Sequence, residues 1–209
     1  LLVSSAASDV YKRQSLGNAL MSKSPRAKPS NQVRIIGGDW RGRKLQFPSI
    51  EGLRPTPDRI RETLFNWLSP HIAGAQCLDL YAGSGALGFE ALSRGARSCC
   101  FIDNNKQVQT ALASSMQALN CEDRATVTLA DSGSAITLDH SIDLVFLDPP
   151  FASSLLSGTL DWLLTSPSIH PDTLIYVEAP KGQELPARNL SVIKEKVAGE
   201  VISRLVGIS

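Results

Sequence analysis

Asp79-Leu80-Tyr81-Ala82-Gly83-Ser84-Gly85-Ala86-Leu87-Gly88 closes a short apolar run and opens a helical pattern. Gly83 and Gly85 have no Cβ, so backbone there can run close to a ligand. The helix behind them offers unpaired N–H groups to an acceptor. Gly83, Gly85 and Gly88 spell GxGxxG, a pattern that by itself suits NAD, another adenosine cofactor, or a plain structural turn. Asp79 separates these readings. A carboxylate at this strand end would repel a pyrophosphate, whereas it could reach an amino group directly or through water. With Tyr81, Ala82 and Ser84 completing the loop, the stretch favours S-adenosyl-L-methionine over a dinucleotide.

Outward from this loop, strand and helix patterns alternate. Strands are expected at Cys77–Leu80, Ser98–Ile102, Ala125–Leu129, Ile142–Leu147 and Thr173–Val177. Helices are expected at Ala86–Arg94, Lys106–Asn120 and Ser154–Leu164, with a weaker one at Ser132–Ile136. Leu190–Val197 and Glu200–Val206 are β-rich and meet at Ala198-Gly199, a hairpin signal. The expected architecture is α/β: a Rossmann-like, class I methyltransferase fold with a mostly parallel seven-stranded sheet ending in an antiparallel hairpin.

Three further acids follow expected strands. Asp103 ends Phe101-Ile102 and is placed to accept from ribose hydroxyls, with helix capping as the plainer alternative. Asp131 follows the next strand and could meet adenine, or could cap Ser132 onward. Asp148-Pro149-Pro150-Phe151 follows the fourth strand. An exocyclic amine is a poor nucleophile because its lone pair is delocalised into the base. The Asp148 carboxylate and the Pro149 carbonyl can accept its two N–H groups and aim the nitrogen at a methyl donor. Consecutive prolines fix φ and donate no hydrogen bond, so the turn presents acceptors. Phe151 supplies a face for stacking the base.

Upstream, Val33–Ile36 and Arg43–Phe47 flank Gly37-Gly38-Asp39-Trp40-Arg41-Gly42 and read as a small strand–loop–strand element, a basic N-terminal β-hairpin extension. Thr56 can cap a helix that has Pro57 at its first position and runs to Leu68. Its apolar face is Ile60, Leu64, Trp67 and Leu68. Charge is segregated: residues 1–61 hold twelve Lys/Arg against four Asp/Glu, although the whole chain is only +1. That asymmetry suits a polyanion-binding appendage on an acidic body, against the alternative of a solvated charged face. Arg34, Arg41, Arg43 and Lys44 are candidates for phosphate contacts, and Arg54 and Arg59 for contacts nearer the catalytic mouth. For the last two the alternative is an ion pair with Asp58, Glu62 or a core acid. Trp40 could stack on a base or anchor the small sheet.

Arg34–Gly38, Trp40–Leu45, Arg54-Pro55-Thr56, Asp58-Arg59, Arg61–Asn66, the glycine loop and Asp148–Phe151 together resemble the RsmD family, bacterial 16S ribosomal RNA guanine-N2 methyltransferases. The similarity runs from about Val33 to Leu205 and includes Tyr176-Val177-Glu178. The basic segment is its more specific part, since many methyltransferases share the other motifs. The resemblance implies methylation of N2 of one guanine, position 966 of 16S rRNA, within an assembled or assembling small ribosomal subunit, by a monomer. Asp103 departs from the pattern, because relatives often carry Glu there; the charge is kept on a shorter side chain.

The expected division is residues 1–32 as a tail and basic arm, 33–70 as the RNA-binding extension and 71–209 as the methyltransferase domain. The first twenty residues read as partly artefactual, with Met21 a native start. Cys77, Cys99, Cys100 and Cys121 form no CxxC pair and the three histidines are scattered, so neither a metal site nor a disulfide framework is expected. Reduced thiols and the absence of a secretion signal or long apolar run point to the cytoplasm and away from a membrane.

Overall fold

A computed structural model describes residues 31–132, 138, 140–150, 155–186 and 189–209. The expected tail, most of the helix at Ser132–Ile136, and Phe151 lie outside the described residues. The elements run β1 (Gln32–Arg34), β2 (Lys44–Gln46), α1 (Asp58–Leu68), β3 (Gln76–Leu80), α2 (Ala86–Ser93), β4 (Ser98–Asp103), α3 (Lys106–Leu119), β5 (Ala125–Leu129), β6 (Ile142–Leu147), α4 (Leu155–Thr165), β7 (Ile169–Pro180), β8 (Leu190–Ala198) and β9 (Val201–Ile208).

β3 to β9 form one seven-stranded sheet in the order β5-β4-β3-β6-β7-β9-β8. Five strands are parallel, and β9 turns antiparallel against β7 and β8. The seven-stranded sheet with its closing hairpin is therefore as the alternation of patterns predicts. The chain builds outward from β3 through β4 to β5, then returns to lay β6 on the other side of β3. That reversal makes the crevice above β3 and β6 the place where an open α/β sheet binds ligands.

Two apolar clusters cover the two faces. One holds Leu64, Phe65, Phe89, Phe101, Leu112 and Phe146; the other holds Leu80, Val145, Leu156, Leu160, Ile175 and Val206. Burying each such side chain contributes roughly 1.5–3 kcal/mol. β1 and β2 pair antiparallel as a separate two-stranded sheet. Val33, Ile35 and Leu45 of this extension enter the first cluster, and Asn31–Ser209 form one compact unit.

Gly38 explains how close the extension lies. Its φ is +71°, and a Cβ there would stand 1.8 Å from the Ser93 carbonyl oxygen. The Asp39 amide donates to that same carbonyl at 2.8 Å, and the Trp40 amide donates to Ser93 Oγ at 2.9 Å.

The N-terminus of α1 corrects the expected cap. Pro57, not Thr56, stands at the N-cap, and no side chain caps the helix. Thr56 is 6% exposed, and its hydroxyl turns to Asp148 Oδ2, 3.4 Å away. The buried face of α1 also differs from expectation. It comprises Leu64, Phe65 and Leu68 together with Arg61, while Ile60 and Trp67 are half-buried. A guanidinium is buried here because each nitrogen has an acceptor. Arg61 Nε donates to the Thr56 carbonyl, Nη1 to Glu90 Oε2, and Nη2 to the Arg34 carbonyl and Asp58 Oδ1.

Candidate active site

Parallel strands deliver their C-terminal ends to one edge, and four carboxylates arrive there: Asp79 near the end of β3, Asp103 closing β4, Asp148 just past β6, and Glu178 on β7. Asp79 is 3% exposed, and its Oδ2 accepts the Gly88 amide at 2.9 Å. Burial pushes its carboxyl up to about 8; the Gly88 hydrogen bond opposes this and the Asp103 charge adds to it. Asp103 is less buried. It ties the glycine loop to β4 by accepting the Gly83 amide on Oδ2 at 3.0 Å and the Asn105 amide on Oδ1 at 2.9 Å. The cap of α3 belongs to Asn105, whose side chain accepts from the Gln107 and Val108 amides. Asp103 is thus free of that duty, and each of its oxygens keeps a lone pair.

In the loop, Tyr81 holds φ at 60°, a left-handed conformation uncommon for a bulky residue. Three contacts hold it there. Its amide donates to Ser132 Oγ, its hydroxyl pairs with Thr159 Oγ1 at 2.7 Å, and the same hydroxyl donates to the Ser132 carbonyl. Burial raises its phenol pKa, against the Thr159 hydrogen bond. Ala82 and Ser84 are buried within the turn. Asp131 is exposed, with Oδ1 accepting from the Asn104 amide group at 2.8 Å.

Gly85 occupies the N-cap of α2 with φ +71°. A Cβ there would meet Leu112 and Phe89 at 2.6 Å. The glycine is therefore required by the chain's own close packing, whatever ligand approaches. No side chain caps α2, which leaves its first-turn amides ahead of Gly88 open to an acceptor among the described residues. Open amides at a helix N-terminus and a partly exposed acid at the neighbouring strand end suit the two ends of an amino-acid nucleoside. The residues present therefore fit S-adenosyl-L-methionine: the open amides are able to take a carboxylate, and Asp103 is able to accept from ribose hydroxyls. Among the described residues no His/Cys/Asp/Glu group could hold a metal ion.

Across the crevice, Leu147 of β6 pairs in register with Leu80 of β3, so Asp148 stands beside the glycine loop. Pro149 is buried and Pro150 exposed. The Asp148 carboxyl lies well above the usual carboxylate range through burial and the charges of Glu178 and Asp79, against the Thr56 hydrogen bond. Glu178 is raised as well, by burial.

The candidate RNA contacts divide into two groups. Arg34, Arg41, Arg43, Lys44, Arg54 and Arg59 are all exposed. Arg54 precedes Thr56 by two residues and Arg59 lies in the first turn of α1, so both are near the catalytic edge. Their alternative role as Asp58 partners does not occur: Arg61 and Arg34 hold Asp58 at 2.6 and 3.1 Å. The tip of the extension lies at the other end of the sheet. Trp40 is half-buried there against the core, with the Arg124 guanidinium 5.3 Å from its ring, and Arg124 immediately precedes β5. Trp40 therefore anchors the small sheet. Arg43 donates to the Ala118 carbonyl at the C-terminal end of α3. Arg41 and Lys44 have no ion pair among the described residues. A solvent-open cavity of about 270 Å³ lined by His71, Asp143 and Asp172 also lies at this far end, away from the strand-end acids.

Sequence reasoning missed Glu90, Arg61 as a buried group, and Glu178. Glu90 is fully buried and accepts four donors: the Ile36 amide and Arg61 Nη1 on Oε2, the Gly37 amide and Arg94 Nε on Oε1. It clamps the extension onto α2. A signal was present: one acid in the otherwise apolar Ala86-Leu87-Gly88-Phe89-Glu90-Ala91-Leu92, and another in Leu174-Ile175-Tyr176-Val177-Glu178-Ala179. A lone charge inside a buried element requires a partner.

The family profile described as "Conserved hypothetical protein 95" matches residues 33–207. Ribosomal RNA small subunit methyltransferase D of Escherichia coli K12 is 46% identical over 191 residues, covering 88% of this chain and 93% of that protein. The protein of the same name from Haemophilus influenzae is 43% identical over 188 residues, covering 88% and 96%. Among solved structures, a putative methyltransferase, yhhF, from Escherichia coli superposes with a TM-score of 0.76 at 46% identity, over 85% of this chain and 98% of its own. Match length and identity together place this chain in the family of ribosomal RNA small subunit methyltransferase D, the RsmD family.

Proposed function

We propose that this protein is a ribosomal RNA methyltransferase that transfers a methyl group from S-adenosyl-L-methionine to N2 of guanine 966 in 16S rRNA, acting in the cytoplasm on the assembled or assembling 30S subunit. The observation that carries the reading is the placement of Asp148-Pro149-Pro150 beside the uncapped glycine loop, across the β3–β6 switch point.

The cofactor, when bound, supplies a methyl group on a positively charged sulfur. Asp79, Tyr81, Ala82, Gly83, Ser84 and Gly85 shape its methionine end, Asp103 holds the ribose and Asp131 lies toward the base. Asp148 and the Pro149 carbonyl accept the N–H groups of the substrate amine. They turn its lone pair toward the methyl carbon, and Phe151 stacks on the base. Its raised pKa makes Asp148 a stronger proton acceptor than a solvated aspartate, matched to a proton that leaves late, as the nitrogen becomes cationic. Arg34, Arg41, Arg43, Lys44, Arg54 and Arg59 grip phosphates over a surface running from the far end of the sheet to the catalytic edge. Such contacts set affinity and register without reading sequence.

The test is transfer of labelled methyl groups to small subunits that lack the modification. Asp148→Ala is expected to lower transfer by about 100-fold or more, with cofactor affinity within about twofold of the parent. An equal loss of cofactor affinity would mean that Asp148 serves binding instead. No incorporation by the parent protein, despite cofactor binding, would sink the enzymatic reading.

A further inference from the structure

Glu178 has no role in the function proposed above, and an apolar strand has no need of a carboxylate. Leu147 of β6 pairs in register with Val177 of β7, so the next residues, Asp148 and Glu178, stand side by side. Neighbouring strands lie about 4.8 Å apart. Glu178 is 4% exposed, and its orientation is held from behind. Tyr176 Oη donates to Glu178 Oε1 at 2.7 Å, and Ser203 of β9 pairs in register with Glu178. From in front, the Thr56 hydroxyl lies 3.4 Å from Asp148 Oδ2, and the Thr56 side chain also opposes the rise of the Glu178 pKa.

We propose that Glu178 is a positioning residue acting through Asp148, and that the Thr56 hydroxyl bridges the two carboxyls so that they work as one proton-accepting pair. A hydroxyl has one proton and two lone pairs. It can donate to the ionised member while accepting from the protonated one. Two adjacent carboxylates do not both ionise readily, so the resting pair holds one proton and one negative charge. Burial raises both acids, and the Glu178 charge adds to the rise of Asp148.

During transfer the N–C bond forms as the C–S bond breaks, leaving a neutral thioether. The substrate N–H bond breaks and an O–H bond forms on Asp148. The pair goes from one negative charge to none as the sulfur loses its positive charge, and the extra proton then passes to solvent. The step rests on the reading of Asp148 as the acceptor for the amine. It also makes the basic extension part of the reaction centre, since Thr56 belongs to Arg54-Pro55-Thr56.

The groups facing Asp148 are Glu178 from β7, Asp79 from β3 and Thr56 from the extension. Tyr176 stands behind Glu178. The Arg61 guanidinium is directed at the Thr56 carbonyl and Glu90. In the singly protonated pair Glu178 carries the proton, so Glu178→Gln removes the O–H shared with the Asp148 carboxylate and raises the Asp148 pKa.

The experiment is the pH profile of kcat for the full chain on unmodified subunits, with cofactor affinity and KM measured alongside. Glu178→Gln keeps an oxygen for the Tyr176 hydroxyl. It is expected to lower kcat at neutral pH by about tenfold and to move the acid limb up by about one pH unit, with KM and cofactor affinity little changed. Thr56→Val is expected to lower kcat, and Thr56→Ser to retain the parent profile. That pair carries the test if Glu178→Gln fails to fold. An unmoved acid limb in Glu178→Gln, a fall in cofactor affinity proportional to kcat, or equal rates for Thr56→Val and Thr56→Ser overturns the inference. Asp148→Asn with full activity would remove the underlying reading of Asp148. Loss in Asp148→Asn, with parent-like Glu178→Gln and Thr56→Val, removes only the pair.

Discussion

Replacing Glu90 by Gln should detach the extension while altering few atoms. The two Glu90 oxygens offer four acceptor positions, and four donors fill them: two backbone amides and two guanidinium groups. All four are donors, so the site has no acceptor for a donor placed there. Gln retains one oxygen and puts an NH₂ group where two donors already point. Two charge-assisted bonds are lost at about 1.5–3 kcal/mol each. Arg61, which is 0% exposed, keeps its two carbonyl acceptors and Asp58 but loses its buried counter-charge. Breaking one side of a buried pair costs roughly 3–5 kcal/mol. These two costs share the same bonds, so about 4 kcal/mol in all is expected. With a urea m-value of about 2 kcal/mol/M, the unfolding midpoint should fall by about 2 M. Tryptophan fluorescence can follow the transition, since Trp40 and Trp67 both pack against the cluster that Glu90 tethers. Amide exchange at Ile36 and Gly37 should accelerate. A loss below about 1 kcal/mol, typical of an exposed ion pair, would refute the clamp.

Two further outcomes test the acids and the cations. Asp79 is raised from 3.8 to about 8 on folding, so the folded state binds the extra proton between those values; its stabilising contribution is complete below 3.8 and is lost as pH rises through about 8. Asp79→Asn should therefore flatten the decline in unfolding free energy over that window, and an unchanged slope would show that Asp79 ionises freely. Arg41 and Lys44 carry no ion pair among the described residues; Gln at both should leave thermal stability unchanged and lower the slope of log affinity against log salt by about 0.7–0.9 for each phosphate no longer neutralised. An unaltered slope would remove them from the RNA surface.

The parts legible in the sequence were those set by local pattern. The bounds of β5 and β6 match expectation residue for residue, because β5 alternates apolar residues with Thr and β6 is a nearly continuous apolar run. The glycine loop and Asp148-Pro149-Pro150 were readable for the same reason. β7 runs from Ile169 to Pro180, well beyond the expected Thr173–Val177, because antiparallel pairing with β9 carries it past the parallel partner that ends at Leu147. Thr56 shows the limit of local chemistry. Ser or Thr before Pro at a helix start is a sound capping signal, yet the hydroxyl goes to a carboxylate 92 positions away.

The sequence by itself determined the fold class, the glycine loop, the likeness to one family and the segregation of basic residues into the first third of the chain. Those features rest on backbone periodicity, glycine and proline geometry and composition, which act over a few residues. Tertiary structure decided which charges are buried and whom they meet: Glu90 with Arg61 and the Ile36 and Gly37 amides, Glu178 on the strand beside Asp148, and the Thr56 hydroxyl against Asp148. It also decided that Trp40 packs as an anchor and that the hairpin tip lies far from Asp148. Strand order and register set these meetings, since they bring residues far apart in the chain within hydrogen-bonding distance, and spacing along the chain carries no record of that order.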